Sequence, residues 1–228
     1  MIIINSGMLI SINKWLIVSK DNQQYKEPTS EENIIDEEKT VYETLPSHNF
    51  SEFKDINTDF RLIIHFSDRS IPVVQSKNNK EYERINIFGE ADSMGTAMLD
   101  YKSSENSYNR IIHGHSSTRN ELIFTPFKSL GWIKENATFE VEYESLTITY
   151  QIISFYQIDW NVDQDYDMLN RDIKNEIELI RHIEQQEKRS DIKFAEYPKE
   201  NLDHLLTILT CDARYTNARY VLVAIPVY

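Results

Sequence analysis

From residue 62 to the C-terminus, apolar residues come in short runs separated by polar turns. Eight runs stand out, at residues 62–66, 71–75, 97–101, 110–113, 137–143, 146–155, 205–210 and 220–227. Several are rich in Ile, Val, Thr, Phe and Tyr, residues that fit a pleated, half-buried surface. Eight such runs predict a mainly β domain, either a barrel or a sandwich. One segment breaks the rhythm. In residues 168–186, Leu169, Ile173, Ile177, Ile180 and Ile183 recur three and four apart. That spacing predicts an amphipathic helix inserted before the run that carries Cys211.

Upstream of this region the chain reads differently. Phe53, Ile56, Phe60 and Ile63 recur at helical spacing and predict a short helix ahead of the main fold. Residues 21–39 are polar and acidic, and Thr29-Ser30-Glu31-Glu32 has the form of a helix start. Residues 1–18 are apolar but interrupted by Asn5, Ser6, Gly7, Asn13 and Lys14. This is either a weak membrane anchor or a segment packed on the domain, since a spanning helix needs about 20 mostly apolar residues. The organisation expected is an N-terminal extension over 1–20, a polar linker with helices over 21–60, and a folded domain over 61–228.

Charge and cysteine content narrow the function classes. The chain of 228 residues carries 24 Lys and Arg against 37 Asp and Glu, a net charge of −13. A surface this acidic repels phosphate backbones and argues against nucleic-acid binding. It also gives no attraction to anionic lipid. Cys211 is the single cysteine, so no intrachain disulfide holds the fold.

A few residues could carry chemistry. Cys211 ends a strand-like run, Thr207-Ile208-Leu209-Thr210-Cys211, where a thiol can act as a nucleophile if a neighbour takes its proton. The bland alternative is a buried, inert cysteine. His113 and His115 are two apart, so on a strand they share a face. They could begin a metal site, but no further ligands stand at suitable spacing. Otherwise one of them serves Cys211 as acid or base. Arg219 opens the last run, eight positions after Cys211, and two antiparallel strands would bring both to one sheet end. A guanidinium there can donate two hydrogen bonds to a developing oxyanion. Arg214, in the intervening loop, competes for that role.

In their order along the chain, these segments resemble the sortases, cysteine transpeptidases of Gram-positive surfaces, and class B in particular. Ile112-His113-Gly114-His115 is similar to the family's apolar-x-Gly-His segment, whose last residue maps onto His115. Thr207–Cys211 is similar to the Thr-Leu-x-Thr-Cys strand of the nucleophile, and Arg219 matches the arginine that opens the following strand. Ile71-Pro72-Val73-Val74-Gln75, Asn57-Thr58-Asp59-Phe60, Gly95-Thr96-Ala97-Met98-Leu99-Asp100 and the inserted helix extend the likeness over residues 50–228. Ser116-Ser117 after Gly-His, Ile208 and Leu209, and Ile71 in place of tyrosine depart from the pattern.

The resemblance implies a closed eight-stranded barrel with N-terminal helices. It implies that Cys211 attacks a threonine carbonyl in a C-terminal sorting signal, that His115 protonates the leaving amine, and that Arg219 holds the oxyanion. Thr210 would shape the substrate pocket. A thioacyl-enzyme would pass its acyl group to an amine of peptidoglycan precursor or of a pilin lysine. The station implied is the extracellular face of a Gram-positive membrane. A thiol–imidazole pair performs this chemistry with no metal and no cofactor. Two other readings remain open: a non-catalytic surface binding module on the same barrel, and a Cys–His hydrolase that cleaves without transfer.

Overall fold

The computed structural model describes residues 49–118, 123–161, 169, 172–199, 202–212, 214–215 and 217–228. The expectations made for residues 1–48 lie outside the described residues. Eight strands form a closed barrel: β1 (Phe60–Phe66), β2 (Arg69–Val74), β3 (Ala97–Leu99), β4 (Asn109–Gly114), β5 (Thr138–Glu142), β6 (Thr147–Asp159), β7 (Leu205–Cys211) and β8 (Ala218–Val227). Around the barrel the order is β1-β2-β3-β4-β7-β8-β6-β5, closed by antiparallel pairing of β5 with β1. Two contacts are parallel, β2 with β3 and β4 with β7; the others are antiparallel. Closure leaves no continuous edge open to another chain.

Strand alternation sorts side chains to two faces. Inward, Ile112, Leu206, Ile208, Tyr220, Leu222 and Ala224 meet Phe124, Phe127, Tyr150 and Phe155 in one core. Aromatic rings fill its centre: Phe155 stacks on Tyr220 with centroids 5.5 Å apart, and Phe139 on Tyr150 at 5.8 Å. Outward, Ile111, Leu205, Leu209, Val221, Val223 and Ile225 form a second apolar face. Helix α3 (Glu176–Arg189) covers it with Leu179 and Ile183.

Two helices differ from their sequence reading. Helix α1 spans only Phe50–Ile56, begun by an Asn49–Glu52 capping box. Phe60 and Ile63, expected in that helix, stand on β1. They still pack with Phe53 in one cluster, so the contact was right and the element wrong. Helix α3 starts later than expected, because the Asn175 side chain accepts the Glu178 N–H and caps it there. Its buried residues are Leu179, His182, Ile183 and Gln186, whereas Ile177 is 70% and Ile180 38% exposed. Leu169 and Ile173 join the same cluster from before the helix. A short 3-10 turn (Thr125–Lys128) and helix α2 (Leu130–Glu135) complete the fold. Among the described residues no helix is long and apolar enough to cross a membrane.

Candidate active site

Three neighbouring strands end together on one rim of the barrel. In the parallel β4–β7 pair, Gly114 stands opposite Thr210, so His115 and Cys211 are the next residues out on each chain. In the antiparallel β7–β8 pair, Cys211 stands directly opposite Arg219. By alternation Cys211 and Arg219 share the outer face of Leu209 and Val221, and His113 and His115 follow Ile111 onto that side. The register thus brings Cys211, His115 and Arg219 to one sheet end, on the face that α3 covers further along.

Each side chain has a defined setting. His115 donates through Nε2 to the carbonyl of Glu83 at 3.1 Å, since a carbonyl can only accept. That places a proton on Nε2. Gly114 is what lets this segment pass. A Cβ there would overlap the ring of Phe124, which is fully buried behind it. The Ser116 hydroxyl donates to the carbonyl of Cys211, tying the ends of β4 and β7 together. Cys211 is a free thiol at intermediate burial. The Arg219 guanidinium lies over the Trp160 ring, 5.4 Å from its centroid, and donates through Nη1 to the Ala218 carbonyl at 2.9 Å.

Arg214, the competing arginine, is committed elsewhere. It donates through Nε and Nη2 to the two oxygens of Asp212, each at 2.9 Å, and also to the Tyr220 hydroxyl. Burial alone would raise the Asp212 carboxyl, but the Arg214 hydrogen bonds outweigh it and hold the group below the ordinary carboxylate value. His113 is also taken: its Nε2 meets Asp100 at 2.9 Å. Burial raises Asp100, and the bonds from His113, Lys102 N–H and Asn79 overcome that and lower it. The two histidines of the His-x-His pair therefore turn to different partners. Among the described residues no group of three or more His, Cys, Asp or Glu is arranged to hold a metal. Thr210 is buried at 2% exposure, on the inward face opposite to Cys211, and its hydroxyl has no hydrogen-bond partner among the described residues.

No protein-family model matches the sequence, and no curated protein is similar to it in sequence. Solved structures are similar in fold. Sortase B of Clostridium perfringens matches with a TM-score of 0.69 at 25% identity, over 79% of this chain and 100% of that one. Sortase B of Staphylococcus aureus matches at 0.66 and 19% identity, over 78% and 86%. Sortase B of Bacillus anthracis matches at 0.65 and 20% identity, over 78% and 83%. The chain has a class B-like sortase fold. Within this sortase-like barrel, three contributors to the rim carry no clear sequence signal. Trp160 follows β6 and reaches Arg219 only through the tertiary fold. Glu83 acts through its backbone carbonyl, which carries no residue signature. Ser116, a departure from the sortase pattern, bridges to the end of β7.

Proposed function

We propose that the protein is a sortase-type cysteine transpeptidase acting on the C-terminal sorting signals of surface proteins. The observation that carries this reading is the register: Cys211 opposite Arg219, one step beyond the Gly114–Thr210 pair that leads to His115. Cys211 Sγ, as thiolate, attacks the carbonyl carbon of a signal threonine, and a C–S bond forms. The carbonyl oxygen becomes an oxyanion, which Arg219 meets with its planar pair of N–H donors. The C–N bond then breaks, and the His115 imidazolium gives a proton to the departing amine. With Nε2 bound to the Glu83 carbonyl, that proton comes from Nδ1. In the second half an incoming amine attacks the thioester, the C–S bond breaks, and His115 takes the amine proton. Hydrolysis is the same second half with water as the acceptor.

Partner classes follow from the same reading. One related S. aureus sortase B has been captured with a substrate, and a sortase B with triglycine. They support a sorting-signal donor and an amine acceptor for this chain, the acceptor being a peptidoglycan precursor or a pilin lysine. The station proposed is the extracellular face of a Gram-positive membrane, with residues 1–18 as the means of attachment. Thr210 backs the nucleophile strand from the barrel interior and acts on the pocket through the backbone of Cys211.

The test is a panel of class B-like signal peptides incubated with the protein, with and without an added amine. Cleavage plus a ligated product that needs the amine, both lost in Cys211→Ala, is the expected result. Cleavage with no ligated product at any amine concentration would make the protein a hydrolase. No cleavage of any peptide, with Cys211 unreactive, would favour the binding-module reading.

A further inference from the structure

Beyond the rim, on the inward side of the nucleophile strand, lies a cavity of about 150 Å³ whose walls include Ser116, Thr118, Lys128, Asp212, Arg214 and Tyr220. It adjoins the rim through Ser116 and Asp212, and reaches the interior core at Tyr220. Its electrostatics run against the rest of the chain, whose net charge is −13. Two cations line it, Lys128 and Arg214, against one carboxylate. That carboxylate is already satisfied: Asp212 Oδ1 accepts from the Arg214 backbone N–H and Nε, and Oδ2 from Arg214 Nη2 and from Gln157 Nε2 at 2.7 Å. Several donors on the wall are unspent. Arg214 uses Nε and Nη2 and keeps its Nη1 hydrogens, and among the described residues neither Lys128 nor the Thr118 hydroxyl has a partner. One guanidinium nitrogen, an ammonium and a hydroxyl on the wall of a small cavity can donate to the two oxygens of a carboxylate.

We infer that this cavity is a binding site for a carboxylate group. The ligand comes either as a small free carboxylate or as the C-terminal carboxylate of a peptide. Recognition is by charge and by hydrogen bonding, so the isosteric amide is refused. Removing the Lys128 charge weakens binding about fivefold, the scale of one half-solvated ion pair.

Carboxylate binding here is independent of the acyl-transfer chemistry and is tested without it. The full chain carrying Cys211→Ala, labelled with ¹⁵N, is titrated with acetate, with acetamide, and with an N-acetylated dipeptide bearing either a free or an amidated C-terminus. Saturable shifts of the Ser116, Ser117, Thr118 and Asp212 amides with acetate, absent with acetamide, are expected. Lys128→Gln weakens them about fivefold and Lys128→Arg restores them; Lys128 is exposed, so both variants keep the fold. Tighter binding of the free dipeptide than of acetate identifies a peptide terminus as the ligand, and equal binding identifies a small carboxylate. Either outcome supports the site. Equal shifts with acetate and acetamide, no shifts at all, or shifts indifferent to Lys128→Gln overturn it, and leave the transpeptidase proposal as it stood.

Discussion

A guanidinium over an indole keeps its charge and loses rotational freedom, at the gain of about 1 kcal/mol of cation–π attraction. Trp160 holds Arg219 in that way at the end of β8, across from Cys211. Trp160→Leu is therefore expected to lower kcat about tenfold, a loss of about 1.4 kcal/mol, with a smaller effect on KM, while Trp160→Phe retains most of the rate. Equal losses in both variants, or a change in KM alone, would mean that Trp160 only fills space. Arg219→Lys keeps the charge and loses the fork, and should cost more than Trp160→Leu, about a hundredfold in kcat/KM. At this scale the sequence was legible in the placement of its candidate residues on neighbouring strand ends. Cys211, His115 and Arg219 are rare or reactive side chains in a readable order. Trp160 and Glu83 were not legible, because one acts through a tertiary ring contact and the other through a backbone oxygen. The choice between Arg219 and Arg214 turned on register, which eight residues of spacing cannot supply.

Helix α3 shows how a correct element can carry an incorrect face. The apolar spacing pointed to Leu169, Ile173, Ile177, Ile180 and Ile183; Leu169, Ile173 and Ile183 are buried, but Ile177 and Ile180 are exposed, and Leu179, His182 and Gln186 take the buried face of the helix instead. The Asn175 cap starts the helix after Ile173, and packing against β6 then selects the rotation, which periodicity in one chain segment does not encode. Gln186 is buried because its carbonyls serve the sheet: the backbone oxygen accepts from Ser154 and the side-chain oxygen from Tyr156. Leu179→Ala should cost about 2–5 kcal/mol in urea unfolding, whereas Ile177→Ser should change stability by less than about 0.5 kcal/mol. The reverse order would return the buried face to the isoleucine stripe. The β4 end makes a second prediction. Gly114→Ala forces Phe124 from its site in the core, and is expected to destabilise by about 1–3 kcal/mol and to shift the His115 amide in NMR spectra. A neutral effect would show that the rim does not need glycine there.

Across the whole molecule, the mainly β domain was legible because strand runs and turns alternate so regularly; the closed barrel came from the family resemblance, and the wrapping order needed the structure. The same closure buries a directional chain of hydrogen bonds. Arg110 donates to the Tyr143 hydroxyl, Tyr143 to Tyr150, and Tyr150 to His204 Nε2, while His204 Nδ1 donates to Asp203. Burial, aided by the Arg110 charge, lowers His204 from the ordinary imidazole value of 6.5. The unfolded chain therefore takes up this proton first on acidification. Stability from His204 is complete above the ordinary value and falls as pH drops below it. Asp100 and Asp212, both lowered, add a second loss when pH falls through the carboxylate range. Tm should thus decline between about pH 7 and about pH 5, and that first decline should shrink in His204→Asn; an unchanged decline would assign it elsewhere. The architecture brings the strand ends that carry a thiol, an imidazole and a guanidinium to one rim, where the proposed acyl transfer would take place. Intact-mass measurement of the protein mixed with a signal peptide reads that transfer at its covalent midpoint. The expected result is an adduct equal to the cleaved acyl portion, on Cys211, accumulating without amine, discharged to a new amide when amine is added, and absent in Cys211→Ala. A chain whose mass stays unchanged with every peptide, or an adduct that persists in Cys211→Ala, would contradict it.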